Sequence, residues 1–290
     1  MEKIRFFSDS PADLLPEDTA GAPYTMVPSS VIYDDGRVVY ETDIDRDEYY
    51  AYLETCRNIP DSAMGSPQQW FEAFEAAVQD GYTHALVYTI SSTASSVCNS
   101  IHLAQAMIEE KYPGALTVEL IDSRQYSMIY GRLLLESFKQ NEQGWGFERI
   151  ACDLRRRTRR NQAIMGAYSL RFMQKSGRIS GMAALAGGAL KVRPILLARD
   201  GLIAPVEKVR GNKNVVGGIV KHIKSRITDP QDQELMVVHG SVASEELERL
   251  DALLDEEIRP KSIVHHSIGV TVATNSGPET IAVGFFGEPY

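Results

Sequence analysis

The sequence predicts an α/β protein of two units, the first on a mostly parallel sheet, the second an α+β unit with a mixed sheet. Three observations carry that prediction. Strand-like and helix-like segments alternate through residues 1–150, the order a parallel sheet requires. From 151 to 290 the order changes to strands joined by hairpin and helix signals. The chain has 290 residues, 43% hydrophobic and 24% charged, which is material for two cores and an internal cavity.

The elements follow in order. IRFF (4–7) is a short apolar run ending at Ser8-Asp9-Ser10, and Pro11 with Asp13 marks a turn or helix start. Residues 27–40 read as a hairpin: VPSSVIY, the turn Asp34-Asp35-Gly36, then RVVY. A short helix is expected from Asp45 through Leu53. Ser66-Pro67-Gln68-Gln69 carries a helix-start signature, with a capping serine, proline at the first helical position and Gln69 closing a capping box. Trp70, Phe71, Phe74, Ala77 and Val78 then recur at helical spacing until Gly81 stops the run. HALVYTI (84–90) is a buried strand, the serine-rich turn 91–96 leads into a helix through Glu110, and LTVELID (116–122) is the next strand. A long helix is expected near 126–142, GWG (144–146) breaks the chain, and a helix runs from Phe147 to Arg160.

The second unit, 151–290, opens after that helix with the strand AIMGAYSL. Two short helical pieces are expected between Gln174 and Leu190. KVRPILLA and LIAPVEKVR flank Arg199-Asp200-Gly201 as a hairpin. A helix over 213–227, the strand LMVVHG and an amphipathic helix from Ser244 to Glu257 come next. The chain closes with strands SIVHHSIG and TIAVGFFG around the turn TNSGP.

Charge and composition remove several functions. The formal net charge of −9 repels phosphate backbones and anionic membranes, so nucleic acid is not an expected partner. The basic run Arg155 to Arg160 reads as a solvated helix C-terminus, where cations complement the dipole. Cys56, Cys98 and Cys152 are odd in number and form no CxxC, which fits a reduced, cytoplasmic protein. The N-terminus has no apolar core of a secretory signal, and no apolar run reaches the ~18 residues of a membrane span. There is no P-loop, no GxSxG elbow and no HExxH, and the six histidines show no metal spacing. His265 and His266 are adjacent in a strand and therefore face opposite sides. No cofactor is expected.

The turn Ser91-Ser92-Thr93-Ala94-Ser95-Ser96 is the most unusual feature. It joins a buried strand to a helix, where α/β sheets bind ligands, and Ser91 or Ser92 could donate to a carboxylate or phosphate. Capping of the following helix is the competing reading. Asn275 in TNSGP is read as a turn residue that points into a site between the units or satisfies local backbone. KSGRISG (175–181) and KVRGNK (208–213) place Lys175, Arg178, Lys208, Arg210 and Lys213 beside glycines, a flexible positive surface.

SDSPADLLPED, SAMGSPQQWFEAF, ISSTASSVCNSI, LIDSRQYSM, QKSGRISGMAALAGGALKVRPIL, KVRGNK and TNSGPETIAVGF occur in the order found in the DegV family. Together they span Ser8 to Phe286, and on them the chain resembles that family. DegV-family proteins are similar to FakB, the fatty-acid-binding subunit of bacterial fatty acid kinase. The resemblance implies two α/β domains with a lipid tunnel between them. A bound long-chain fatty acid would present its carboxylate at the mouth. A separate kinase subunit would form the acyl phosphate from ATP, for phospholipid synthesis, with transient membrane contact on delivery. By position, the family's TSxPS hydroxyl is Ser62 in SAMGS, and its ISS serine is Ser92 with Ser91 beside it. Asn275 replaces the histidine of THTGPG and Glu279 its last glycine. An asparagine amide still donates but takes no proton. Arg178 and Arg210 fall in motifs that lie toward the mouth or the partner surface. The resemblance implies a binding subunit rather than an enzyme; the alternative is a lipid ester hydrolase using Ser92.

Overall fold

A computed structural model of the chain describes residues 2–179 and 192–290. The described residues form three sheets. The first is parallel throughout, with strands β1 (Ile4–Asp9), β2 (Tyr24–Val27), β6 (His84–Thr89) and β7 (Thr117–Asp122) in the order β2-β1-β6-β7. Helices α2 (Pro67–Gln79), α3 (Val97–Lys111), α4 (Met128–Glu142) and α5 (Phe147–Thr158) cover it. Ser66 caps α2 reciprocally with Gln69, with Pro67 at the first helical position. The core of this unit is large and aromatic: Phe6, Phe7, Trp70, Phe74 and Tyr88 are all fully buried. Phe147, Ile150, Ala151 and Leu154 of α5 belong to the same core. Helix α5 therefore packs with the first sheet, although the expected boundary at 150/151 places most of it in the second unit.

The expected hairpin at 27–40 forms a small separate sheet: β3 (Ser30–Ile32) pairs with β4 (Val38–Tyr40) on one side and with β5 (Asp61–Ala63) on the other. Between them lies α1 (Arg46–Thr55), capped by the side chain of Asp45.

The third sheet has six strands in a mixed arrangement. They are β8 (Asn161–Ala167), β9 (Val192–Arg199), β10 (Leu202–Arg210), β11 (Glu234–His239), β12 (Ser262–Ser267) and β13 (Thr280–Phe286), in the order β10-β9-β8-β13-β11-β12. Only β11 and β12 run parallel; the hairpin β9–β10 closes at Asp200-Gly201 as expected. Helices α7 (Val215–Lys224) and α8 (Ser244–Glu257) pack on its outer face. Side chains alternate between the two faces along β8, β9, β11 and β13. Ile164, Ile195, Leu235, Val237, Ile281, Val283 and Phe285 face α7 and α8. Ala163, Met165, Leu196, Ala198, Met236, Val238 and Ala282 face inward, toward the first unit. Three alanines, Ala163, Ala198 and Ala282, stand among the inward residues and line a gap between the two units that side chains do not fill.

Two readings change. Thr274, Asn275 and Ser276, expected in the turn TNSGP after a strand, end the short helix α9 (Val270–Ser276), so Asn275 sits on its last turn. Of the helical pieces expected from Gln174 to Leu190, the structure describes only α6 (Arg171–Ser176); the second lies outside the described residues.

Candidate functional site

The unfilled gap is a cavity of about 1030 Å³ of atom-free space, its mouth included. Its walls are largely apolar. Pro11, Ile90 and Ile129 come from the first unit, and Ala163, Met165, Ala198, Val238 and Ala282 from the inward face of the large sheet. The small residues on alternate positions of β8, β9 and β13 explain why space remains here.

One part of the wall is polar. Ser62 on β5, Asn275 on α9 and Arg178 just after α6 line it together. Asn275 Nδ2 donates to Ser62 Oγ at 3.1 Å and to the Thr271 carbonyl at 2.8 Å. Arg178 Nη1 donates to Asn275 Oδ1 at 2.7 Å, and its Nε to the Ala94 carbonyl at 2.8 Å. The amide orientation of Asn275 is thereby set from both sides. Its nitrogen makes two bonds, so it has no proton left for a ligand. Ser62, which accepts from Asn275, keeps its own O–H to donate into the cavity. A guanidinium and a free hydroxyl at one end of an apolar cavity suit a monoanionic head group.

The serine turn contributes to this wall, at a different register from the one expected. Ala94 and Ser95 line the cavity. Ser91 is fully buried and bonds Thr93 Oγ1 at 2.9 Å and the Gly201 carbonyl at 3.2 Å. Thr93 and Tyr126 donate to that same carbonyl. Ser91 thus anchors the β9–β10 turn to the first unit. Gly201 has φ +79°, and a Cβ there would stand 2.9 Å from Ser91 Oγ, so the turn approaches the serines closely because it carries glycine. Ser92 is exposed, its hydroxyl donating to Asp122 Oδ2 at 2.6 Å, and lines a shallow outer depression instead. Neither Ser91 nor Ser92, the two serines expected to meet the ligand, is among the residues that line the cavity. The hydrogen-bond partner of the Ser92 hydroxyl is the Asp122 carboxylate, and among the described residues no histidine bonds it. Arg210 ends β10 on the exposed surface, away from the cavity lining.

Sequence reasoning missed Asp9, Ser95, Gln125 and Thr271, all of which line the cavity. Asp9 is buried and accepts from Tyr130 Oη at 2.7 Å and the Ile90 amide at 3.1 Å; burial pushes its carboxyl up to about 7. Asp13 is raised to about 7 by burial and by the neighbouring Glu41. Glu41 in turn accepts from Ser10 Oγ at 2.6 Å, from the Thr271 amide at 3.1 Å and from Thr271 Oγ1 at 2.8 Å, which ties α9 to the first unit. Only SDSPADL, flagged near the N-terminus, hinted at Asp9 and Asp13. Among the described residues, no group of three His, Cys, Asp or Glu side chains is placed to hold a metal ion. No helix among them is long and apolar enough to cross a membrane.

Comparison with known proteins places this architecture. A DegV domain-containing protein of Clostridium perfringens is 28% identical over 285 residues, covering 98% of this chain and 99% of that protein. One from Caldanaerobacter subterraneus is 28% identical over 286 residues, with 98% and 99% covered. Among solved structures, a fatty-acid-binding DegV family protein from Thermus thermophilus superimposes with a TM-score of 0.87 at 21% identity, over 99% of this chain and 100% of that one. A stearic acid-binding protein from Eubacterium ventriosum gives a TM-score of 0.81 at 25% identity, over 98% and 97%. The family model for the uncharacterised DegV proteins matches residues 3–288, and on that near-complete match the chain belongs to the DegV family.

Proposed function

We propose that this protein binds one long-chain fatty acid, tail in the cavity and carboxylate at the Ser62–Asn275–Arg178 end, and presents that carboxylate to a partner fatty acid kinase. The observation that carries the reading is a cavity with apolar walls and one polar end, where Asn275 links Ser62 and Arg178 by hydrogen bonds. The relatives from Thermus thermophilus and Eubacterium ventriosum, which bind fatty acids, support it.

The energetics are consistent. Each buried methylene gains about 0.8 kcal/mol, so a ~16-carbon tail gains roughly 12 kcal/mol gross. Association offsets a large part of this, on the order of 4–15 kcal/mol. The carboxylate must keep hydrogen bonds when it leaves water. Ser62 Oγ–H and the Arg178 guanidinium supply them, and Asn275 holds both in place.

In the kinase step a carboxylate oxygen attacks the terminal phosphorus of a nucleoside triphosphate held by the partner. The new acyl O–P bond forms as the bond to the departing nucleoside diphosphate breaks. This chain supplies position, not the phosphate donor. The reading places the protein in the cytoplasm, where the nucleotide is available, with the acyl phosphate passing to phospholipid synthesis.

Native mass spectrometry of the purified protein tests the binding half: one fatty acid per chain is expected, and a lipid-free protein that also fails to take up fatty acid would refute it. Incubation with ATP tests the second half. No acyl phosphate is expected from this chain alone; it should form when a DegV-partner kinase subunit is added.

A further inference from the structure

Strand β4 ends the small sheet and pairs with β3 alone. The bonds at its two ends fix which residues face that partner. The Tyr33 amide donates to the Arg37 carbonyl at 2.9 Å, and the Glu41 amide to the Ser29 carbonyl at 3.0 Å. Antiparallel ladders alternate, so Arg37, Val39 and Glu41 bond toward β3, and the N–H and C=O groups of Val38 and Tyr40 point the other way, onto the open edge. The side chains of these two residues share one face of the strand. Val38 is 62% exposed and Tyr40 47%. An apolar edge with free backbone groups is a template for another strand.

Charge decides what that strand can be. Asp34, Asp35, Asp43, Asp45, Asp47 and Glu48 flank the edge and are exposed. The cations of the same stretch are committed: Arg37 to Asp35 at 2.6 Å, and Arg46 to the Ser267 carbonyl at 3.2 Å. A second copy of this chain would bring the same acids. Antiparallel pairing of two β4 strands about Val39 turns Asp35 of each copy toward Asp43 of the other, and like charges across a strand pair are unfavourable. A strand that carries lysine or arginine beside apolar residues instead meets the opposite sign on both flanks and an apolar face at the centre.

We infer that the edge of β4 is a docking site for an extended, cationic segment of a partner protein, which adds a strand to the small sheet through the backbone of Val38 and Tyr40. The order β4-β3-β5 puts that segment two strand spacings, about 10 Å, from β5, which carries Ser62 at the polar end of the cavity. A partner held there stands beside the end of the cavity that takes the head group. The docking surface itself does not depend on what the cavity holds.

The test is binding of a fluorescent eight-residue peptide that alternates lysine and valine, against the same peptide with glutamate in place of lysine. At low salt the lysine peptide binds about tenfold or more tighter than the glutamate peptide, and it weakens as salt is added. Amide hydrogen exchange at Val38 and Tyr40 slows when it binds. In Val38→Pro its binding falls about tenfold or more while the fold persists, because the lost N–H serves the open edge and not β3. Should that variant fail to fold, protection of the Val38 and Tyr40 amides in the wild-type protein decides alone. Equal binding of the two peptides, binding that Val38→Pro leaves unchanged, or binding without protection at Val38 and Tyr40 overturns the inference, as does no binding. A concentration-dependent dimer that Val38→Pro abolishes also overturns it and gives the edge to a second copy of the chain.

Discussion

The four-stranded and six-stranded sheets both bury an apolar face, with opposite results. In the first, aromatic side chains from β1, β6, α2 and α4 interdigitate: Phe7 meets Phe74 edge-on at 5.1 Å, and Tyr88 meets Tyr130 at 5.6 Å. In the second, the inward positions of β8, β9 and β13 include Ala163, Ala198 and Ala282 beside Met165 and Leu196, and a cavity stays open. The outward positions of those same strands carry Ile, Val and Phe, and pack fully against α7 and α8. Residue volume at alternate positions, rather than hydrophobicity, separates a filled core from a binding cavity.

The sharpest way to break that comparison is to exchange the two situations. Ala282→Phe puts a ring into the cavity, and lipid co-purifying with the protein is expected to fall to trace levels while the fold persists. Phe74→Ala removes a ring from the filled core, and a loss of about 3–5 kcal/mol in urea unfolding is expected. If Ala282→Phe instead unfolds the protein as strongly as Phe74→Ala, the inward face is a packed core after all.

The buried carboxyls give the next effect. Asp9 and Asp13 are held near 7, above their ordinary value of 3.8. Between pH 4 and 7 the folded state keeps protons that the unfolded chain has released. Their contribution is therefore most favourable at the acid end of that window and declines as pH rises to 7, levelling off above it. The limiting slope is about 1.4 kcal/mol per pH unit for each carboxyl. Denaturation midpoints at pH 5 and pH 8 measure it, and Asp9→Asn should flatten part of the difference. An unchanged difference in that variant would assign the effect to other groups.

Smaller effects sharpen the contrast between the polar end and the serine turn. Arg178→Ala is expected to weaken fatty-acid affinity about tenfold or more, the scale of a lost charge-assisted bond. Ser92→Ala, on the shallow outer depression, is expected to change it less than about twofold. Titration calorimetry on delipidated protein reads both, and a larger effect at Ser92 than at Arg178 would invert the site.

Much of the fold was legible in the sequence because its signals are local. The capping box Ser66–Gln69 forms as written, and so does the hairpin around Asp200-Gly201. The strand–helix alternation of the first unit predicts its parallel sheet. Helix α9 was missed because it is only seven residues long and closes at Gly277-Pro278, so TNSGP carries a turn signature while the helix depends on Glu41 from the other unit. The serine turn was recognised and its register was not: six consecutive small residues look alike until Gly201 docks against Ser91 and Asp122 engages Ser92. Ser62 was named from a family resemblance and Asn275 and Arg178 already from their turn patterns, but their mutual contact links residues 213 and 97 positions apart.

Local pattern was enough to determine the elements, their caps and the alternation that assigns each strand residue to a face, because these depend on neighbours within a few positions. The empty space, the anchoring of Ser91 and the polar end depended on how two units meet. Packing volume and hydrogen-bond partnership are settled between surfaces that the chain order keeps far apart, so only the tertiary structure decided them.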